Sequence, residues 1–425
     1  MGEMSEKLST EPYKGVRDFY PADWAKLDYA FSKLREVLRT YGYEEYMASP
    51  LERAELYESK TSEEIVNEQT YTFIDRGDRK VTLRPEMTPT LARMVAARRR
   101  ELPFPVRWFS IPNVFRYERP QRGRLREHYQ LNVDLLGITD EKADGEIIVL
   151  ASKLLRAFGA TDADFVIRVS SRALLNAAAQ ALGLSEEQTS GYFGVLDRKN
   201  KMTPEAFEEA RAEYRRAGTD PLEYIEVGTD QAVVAHKQKL NALLAAFADR
   251  GMTNVVFDPT VVRGFLYYTG IVFEVFDTNP ENSRSLFGGG RYDNLVSLFG
   301  GDMIPAVGFG MGDVTLIDFL TTHNLLPQNL TGAPQVFIGT PSESDIGDAQ
   351  KFAEVLREKS IATLVHISGK SLGDQIKEAT RRSIPYFIAY GAQEATSGRV
   401  VLKSLIKSTQ DEVSIEKAIE RLSNQ

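Results

Sequence analysis

The chain has 425 residues, enough for two or three domains with cores of their own, and a globular composition of 42% hydrophobic and 26% charged residues. It has no cysteine, which excludes disulfides and thiolate metal sites, and its four histidines (His128, His236, His323, His366) lack metal-ligand spacing. A net charge of −8 argues against a non-specific nucleic-acid binder; no run is long enough to cross a bilayer, and the N-terminal MGEMSEKLSTEPYKG has no apolar signal core, so a cytoplasmic protein is expected.

In chain order, Leu27, Phe31, Leu34, Val37 and Leu38 at helical spacing predict an amphipathic helix from about Trp24 to Tyr41, stopped by Gly42. A strand ending at Pro50 follows. Thr82–Pro85 reads as a strand entering a turn, and Pro89 and Thr90 open a helix through about Arg100, whose last arginines offset the macrodipole. Next comes FRYERPQRGRLREHYQ, Phe115–Gln130. Five arginines (Arg116, Arg119, Arg122, Arg124, Arg126) fall within eleven residues, broken by Pro120 and Gly123. Such density cannot be buried unpaired, and guanidinium forks match phosphate oxygens. The flanks are Val114 and Phe115 on one side and, on the other, Leu131, Val133, Leu135 and Leu136 alternating with Asn132 and Asp134. They predict two antiparallel strands joined by a basic loop that faces a polyphosphate. A solvated basic hairpin is the plainer alternative. From Arg98 to His128 nine arginines stand against three glutamates, a focused patch suited to a defined anion rather than bulk polyanion.

A helix is expected from about Lys142 to Phe158. From Ser171 to Gly251 the texture becomes helical, with starts at Ser171, Thr203-Pro204 and Thr229 and stops at Gly183, Gly218 and Gly251. This block has the character of an insertion between strand-rich regions. Strands resume at Val255, with apolar runs through Phe265–Phe276 and a glycine cluster, Gly288–Gly290, before a helix near Tyr292. Beyond Leu325–Pro334 strands and helices alternate: strands at Val336–Gly339, Ala362–His366, Tyr386–Tyr390 and Val400–Lys403, helices at Asp345–Glu358, Leu372–Arg382 and Ser414–Leu422. That alternation implies a largely parallel sheet. The domain organisation expected is therefore 1–170 and 252–328 as two parts of one domain, 171–251 as a helical insertion, and 334–425 as a C-terminal α/β domain. The fold class is α/β overall.

Three further segments carry chemistry. LRPEMT (Leu83–Thr88) sets Glu86 on a turn, where it is a cleft anion or a solvated surface group. RGFLYYTG puts Arg263, Tyr267 and Tyr268 in an otherwise apolar stretch read as strand; strand tyrosines are commonly packing residues. FGGGRY (Phe287–Tyr292) allows close backbone approach to a ligand at a helix start. Glu86, Arg116, Gln130, Asp134, Arg263 and Tyr268 together place many polar groups on strands that should be half buried. Such groups need partners, which a bound zwitterion with an imidazole ring would supply.

These segments resemble the signature motifs of class II aminoacyl-tRNA synthetases, and RGFLYYTG with GGGRYDNL resembles the histidyl-tRNA synthetase family in particular. The likeness runs nearly end to end. It implies an antiparallel six- or seven-stranded catalytic sheet flanked by helices, a helical insertion, an anticodon-binding C-terminal domain and a homodimer formed through the first helix and strand. It implies ATP, with Mg²⁺ as Mg-ATP and no metal site of the protein's own, and as partners histidine and histidine tRNA. Position by position, Arg116 would grip the α-phosphate and Arg124 the γ-phosphate. Glu118 would meet adenine or the acceptor end, and His128 would lie on the adenine face. Glu86 and Thr88 would take the α-ammonium of histidine, Gln130 its ammonium or carboxylate, and Asp134 and Tyr268 its ring nitrogens, with Tyr267 and Tyr292 completing the pocket. Arg263 would lie across carboxylate and α-phosphate and, with Arg116, carry catalysis. Arg119, Gln121 and Arg122 would meet the acceptor end, including the extra 5′ guanosine of histidine tRNA.

The chain departs from that pattern in places. The third motif usually ends in a Glu-Arg pair; Val314 and Thr315 stand there, which leaves open how adenine is held. Leu266 replaces a frequent Asp and Met87 a frequent Gly. A second class of function is a paralogue that binds histidine as a regulatory subunit of ATP phosphoribosyltransferase. Such paralogues usually lack the anticodon-binding domain and erode the arginine loop, and this chain keeps both. A synthetase for Pro, Thr or Gly would leave RGFLYYTG unexplained.

Overall fold

The computed structural model describes residues 8–58, 69–121, 123–264, 267–282, 284–327, 330 and 332–423. Cα packing separates Met1–Asp18 with Leu27–Pro327 from Phe19–Lys26 with Gln328–Gln425. In the first unit, strands β1 (Glu44–Glu45), β2 (Leu51–Arg53), β3 (Tyr71–Ile74) and β4 (Lys80–Leu83) precede β5 (Val106–Ser110), β6 (Asn113–Phe115) and β7 (Glu127–Leu136). They are followed by β8 (Phe165–Ser171), β9 (Val255–Phe257), β10 (Ile271–Asp277), β11 (Ser285–Arg291) and β12 (Ala306–Gly312). The large sheet runs β5-β7-β12-β11-β10-β8, antiparallel throughout, with β1 and β9 added in parallel at its edges. β6 folds back on the start of β7, so the two strands around the arginine loop form the antiparallel pair the sequence predicts. β2, β4 and β3 make a separate small sheet.

The helix Thr88–Arg98 starts with Pro at its first turn and buries Leu91, Ala92 and Val95 against Val106, Leu136, Val272 and Ala306 of the large sheet. Helices Lys142–Arg156 and Asp313–Thr322 pack on β7 and β12. Between β8 and β9 the helical block contains helices Arg172–Ala181, Glu186–Asp197, Pro204–Ala212, Pro221–Val227 and Gln231–Asp249. Two of them exceed the sequence expectation, and each opens with a capping box: Ser185 with Gln188, and Asp220 with Glu223. The helix from Pro204 ends at Ala212 rather than Gly218, because Arg216 and Thr219 close a tight turn with Ala217 and Gly218 at positive φ.

The strand expected to end at Pro50 shrinks to Glu44–Glu45. Its would-be continuation bonds to a side chain instead: the buried Arg84 guanidinium donates to Ala48 O at 2.7 Å and Ser49 O at 3.2 Å. In the second unit, β13 (Val336–Gly339), β14 (Thr363–Val365), β15 (Tyr386–Ala389), β16 (Arg399–Ser404) and β17 (Thr409–Ser414) lie in the order β14-β13-β15-β16-β17. Only the first three are parallel; β16 and β17 form an antiparallel hairpin. The exposed polar residues of β17 hide its strand pattern in the sequence. Alternation splits the core here: Val336 and Ile338 pack with Phe352 and Leu422 on one face, while Phe337 packs with Ala379 and Ile384 on the other. Among the described residues no helix is long and apolar enough to cross a membrane.

Candidate active site

The period of β7 builds one wall. Leu131, Val133 and Leu135 are buried in the core, and the alternate positions His128, Gln130, Asn132 and Asp134 share the opposite face. On the neighbouring β12, Gly308 pairs with Asp134 and Gly310 with Asn132. A Cβ on Gly308 would fall 2.2 Å from Asp134 Oδ1, and one on Gly310 would fall 2.7 Å from Gln130 Nε2. Bare backbone on β12 is what leaves these polar groups space to project.

Above that floor is a cavity of about 160 Å³ lined by Glu86, Thr88, Arg116, Gln130, Asn132, Asp134, Arg263, Tyr267, Tyr268 and Tyr292. Every residue expected to hold histidine is there, and Asn132 is an addition that alternation along β7 signals. The polar groups are already partly satisfied. Tyr267 donates its hydroxyl to Glu86 Oε2 at 2.9 Å, the Tyr292 hydroxyl donates to Asp134, and Gln130 Nε2 donates to Asn132 Oδ1 at 2.7 Å. Burial, opposed by the Tyr292 hydrogen bond and reinforced by the charge of Glu86, pushes the Asp134 carboxyl up to about 7. Burial likewise raises the Tyr268 phenol, with Arg263 acting the other way.

Arg263 stands at φ +59°, in an irregular stretch before β10 and not on a strand as expected; Tyr267 and Tyr268 also precede the strand, and Leu266 lies outside the described residues. Burial works against the Arg263 charge, yet Glu274, accepting from Nη1 at 2.5 Å, holds the guanidinium above its ordinary value. Its buried Nε has no hydrogen-bond partner among the described residues. Arg263 lines the small cavity and also a second one, of about 580 Å³, with Arg124, Arg168, Lys199, Lys201 and Arg284 among its walls.

The arginine loop does not act as one group. Arg116 donates to Pro85 O at 2.8 Å and faces the small cavity. Glu118 lies between Arg116 (4.0 Å) and Arg124 (3.3 Å). Arg124 reaches the large cavity from a tight turn in which Gln121 and Arg124 exchange backbone hydrogen bonds around Gly123, whose φ of +75° suits glycine. Arg126 is structural: it is buried, stacks 3.9 Å above Tyr117 and donates to Glu118 O. Arg119 is exposed and belongs to neither lining, Gln121 is exposed at the edge of the large cavity, and Arg122 lies outside the described residues. Burial and the neighbouring Arg116 push His128 down to about 3, so its imidazole is neutral.

The glycine cluster overturns one expectation. Gly288–Gly290 lie in the middle of β11, with no helix start beside them. Cβ atoms there would meet the adjoining strands' carbonyl oxygens at 2.4, 1.9 and 2.6 Å, so the glycines serve strand packing, although Gly288 also lines the small cavity. The following Arg291 is structural too, donating to buried Asp144 and to Ile138 O.

A sequence model of the family described as histidyl-tRNA synthetase matches residues 15–314, and one described as anticodon binding domain matches residues 335–425. A histidine–tRNA ligase from Leptospira biflexa is 43% identical over 98% of this chain and 98% of its own length. One from Thermoplasma volcanium is 35% identical over 96% and 97%. The solved histidyl-tRNA synthetase of Nostoc sp. PCC 7120 has the same fold, with a TM-score of 0.79 at 23% identity over 98% of this chain and 99% of that one.

Proposed function

The chain belongs to the histidyl-tRNA synthetase family, and on that premise we propose that it ligates histidine to histidine tRNA through a histidyl-adenylate, consuming ATP. The observation that carries the reading is Arg263, a buried guanidinium whose Nε–H has no partner among the described residues, in the wall common to an amino-acid-sized cavity and a large cationic one. Ionised Asp134 accepts an imidazole N–H and the Tyr268 hydroxyl serves the other ring nitrogen. A pocket that pairs both nitrogens rejects isosteres lacking them by orders of magnitude. Glu86 and Thr88 hold the α-ammonium, Gln130 orients the backbone of the substrate, and Tyr267 and Tyr292 fix the two carboxylates. The substrate carboxylate then points to Arg263.

ATP occupies the larger cavity, its α-phosphate on Arg116 and its γ-phosphate on Arg124, with Glu118 and His128 near the base. A carboxylate oxygen of histidine forms a bond to the α-phosphorus while the bond to the β-phosphate oxygen breaks and pyrophosphate departs. Arg263 and Arg116 donate to the oxygens on which charge grows, in a site that needs no reorganisation. The terminal ribose hydroxyl of the tRNA next attacks the adenylate carbonyl and AMP leaves. Mg²⁺ would come with the nucleotide, since it binds through phosphate oxygens and a small number of carboxylates. Arg119, Gln121 and Arg122 meet the acceptor end, residues 334–425 meet the anticodon, and the protein works in the cytoplasm as a homodimer.

Amino-acid-dependent exchange of labelled pyrophosphate into ATP tests the reading. Histidine alone among the standard amino acids should support it. Histidine binding without exchange would replace the synthetase by the regulatory paralogue.

A further inference from the structure

We propose that Arg284 is a ligand of the ATP polyphosphate, supplying a guanidinium that the neighbouring helix does not. The inference rests on the functional reading above. Arg284 immediately precedes β11 and lines the large cavity together with a smaller one of about 160 Å³; Gln121, Gly123 and Thr315 border both as well. Its Cδ and the Cγ2 of Thr315 each lie 3.7 Å from where a Cβ of Gly123 would be, so both side chains border the turn of the arginine loop. Thr315 cannot bind an anion by charge, and its hydroxyl is engaged, donating to Leu286 O at 2.6 Å.

Among the described residues Lys201, on the helical block, also has no side-chain partner, but the remaining cations of this wall are occupied. Arg124 pairs with Glu118 at 3.3 Å, Arg168 with Asp258 at 3.3 Å and Arg263 with Glu274 at 2.5 Å, while Lys199 donates to Thr260 Oγ1. Arg284 is exposed and has neither ion pair nor hydrogen bond to any described residue. An unpaired surface arginine is commonplace on its own. One that borders the same cavity as Arg124, beside the turn at Gly123, has its full donor fork ready for phosphate oxygens.

Titration of the whole protein with ATP, alongside histidine-dependent pyrophosphate exchange, tests this. Arg284→Ala should raise both the Kd and the KM for ATP roughly 10- to 100-fold, the loss of one charge-assisted contact, and leave the KM for histidine unchanged. Arg284→Lys should recover most of that loss. Adding Thr315→Arg to Arg284→Ala should recover it as well, since both positions face the same space. An unaltered Kd for ATP in Arg284→Ala, or an equal rise in the constants for ATP and histidine, overturns the assignment. Should the parent bind ATP yet exchange with no amino acid, the functional reading falls while the titration still judges Arg284.

Discussion

The two cavities that share Arg263 are built from different material. The small one is walled by β7 and by the segments that flank the strands, with polar atoms that are buried and mutually paired, as in Tyr267 with Glu86 and Tyr292 with Asp134. The large one is walled by cations from the arginine loop, from β8, from the helical block and from just before β11, several of them well exposed: the Arg124 side chain is 48% accessible and that of Arg168 is 41%. Buried groups are few, directional and costly to leave unpaired, so they discriminate. Exposed cations act through their summed field, so they attract. On the proposed reading, specificity for the amino acid and affinity for the nucleotide are thereby separated in one site.

The largest effect should come from the residue common to both. Arg263→Ala is expected to lower the turnover of adenylate formation by roughly 10²- to 10³-fold, as loss of a preorganised donor does, with little change in histidine binding. Pyrophosphate exchange with histidine titrations reads this. If binding alone suffers, Arg263 belongs to the small cavity only and the contrast loses its hinge.

Asp134→Asn should weaken histidine binding by roughly 10- to 100-fold. It should also flatten the pH profile. With the carboxyl near 7 in the free protein, binding to the parent should weaken as pH falls through neutrality, because the protonated acid has lost its charge and is a weaker acceptor for an N–H. The titration of histidine itself is common to parent and variant, so the difference between their profiles isolates Asp134. Parallel profiles would mean the buried carboxylate is not the discriminating group.

Gly308→Ala tests whether the floor must be bare. Its methyl group would collide with Asp134 Oδ1 and with Val133 O, so a loss of about 1–3 kcal/mol in stability, together with weakened histidine binding and intact ATP binding, is expected from thermal melts and titrations. ATP binding that falls equally would deny the separation of the two cavities.

The smallest effect belongs to His128→Phe, which keeps an aromatic ring at that position. His128 is held near 3 in the folded chain against an ordinary 6.5, so the unfolded chain gains its proton first. The contribution to stability is present above about 6.5 and is lost progressively as pH falls toward 3. Melting temperatures followed over that window should decline less steeply in the variant, and an unchanged slope would show that the imidazole is not neutral by burial.

Parts of this site were legible before any fold was known. Alternation on β7 put Gln130 and Asp134 together, and Ser171, acting as a helix cap toward Leu174 N, marked where a helix begins. The two extra helices of the insertion were also written in the chain, as Ser-x-x-Gln and Asp-x-x-Glu boxes, but their weak apolar pattern hid them. The five loop arginines look alike in one dimension. Whether a guanidinium faces a cavity, as Arg116 does, or lies on an aromatic ring, as Arg126 does, depends on what the fold brings beside it.

What the amino-acid order determined by itself is local: helical and strand periods, caps, turn glycines and the kinds of chemical group present, all set by neighbours within a few residues. What only the tertiary structure decided is partnership across long separations. Tyr267 meets Glu86 from 181 residues away, Arg291 meets Asp144 from 147, and Gly308 makes room for Asp134. Burial and pairing are properties of the packed chain, and they alone separate a guanidinium that holds the fold together from one that faces a cavity.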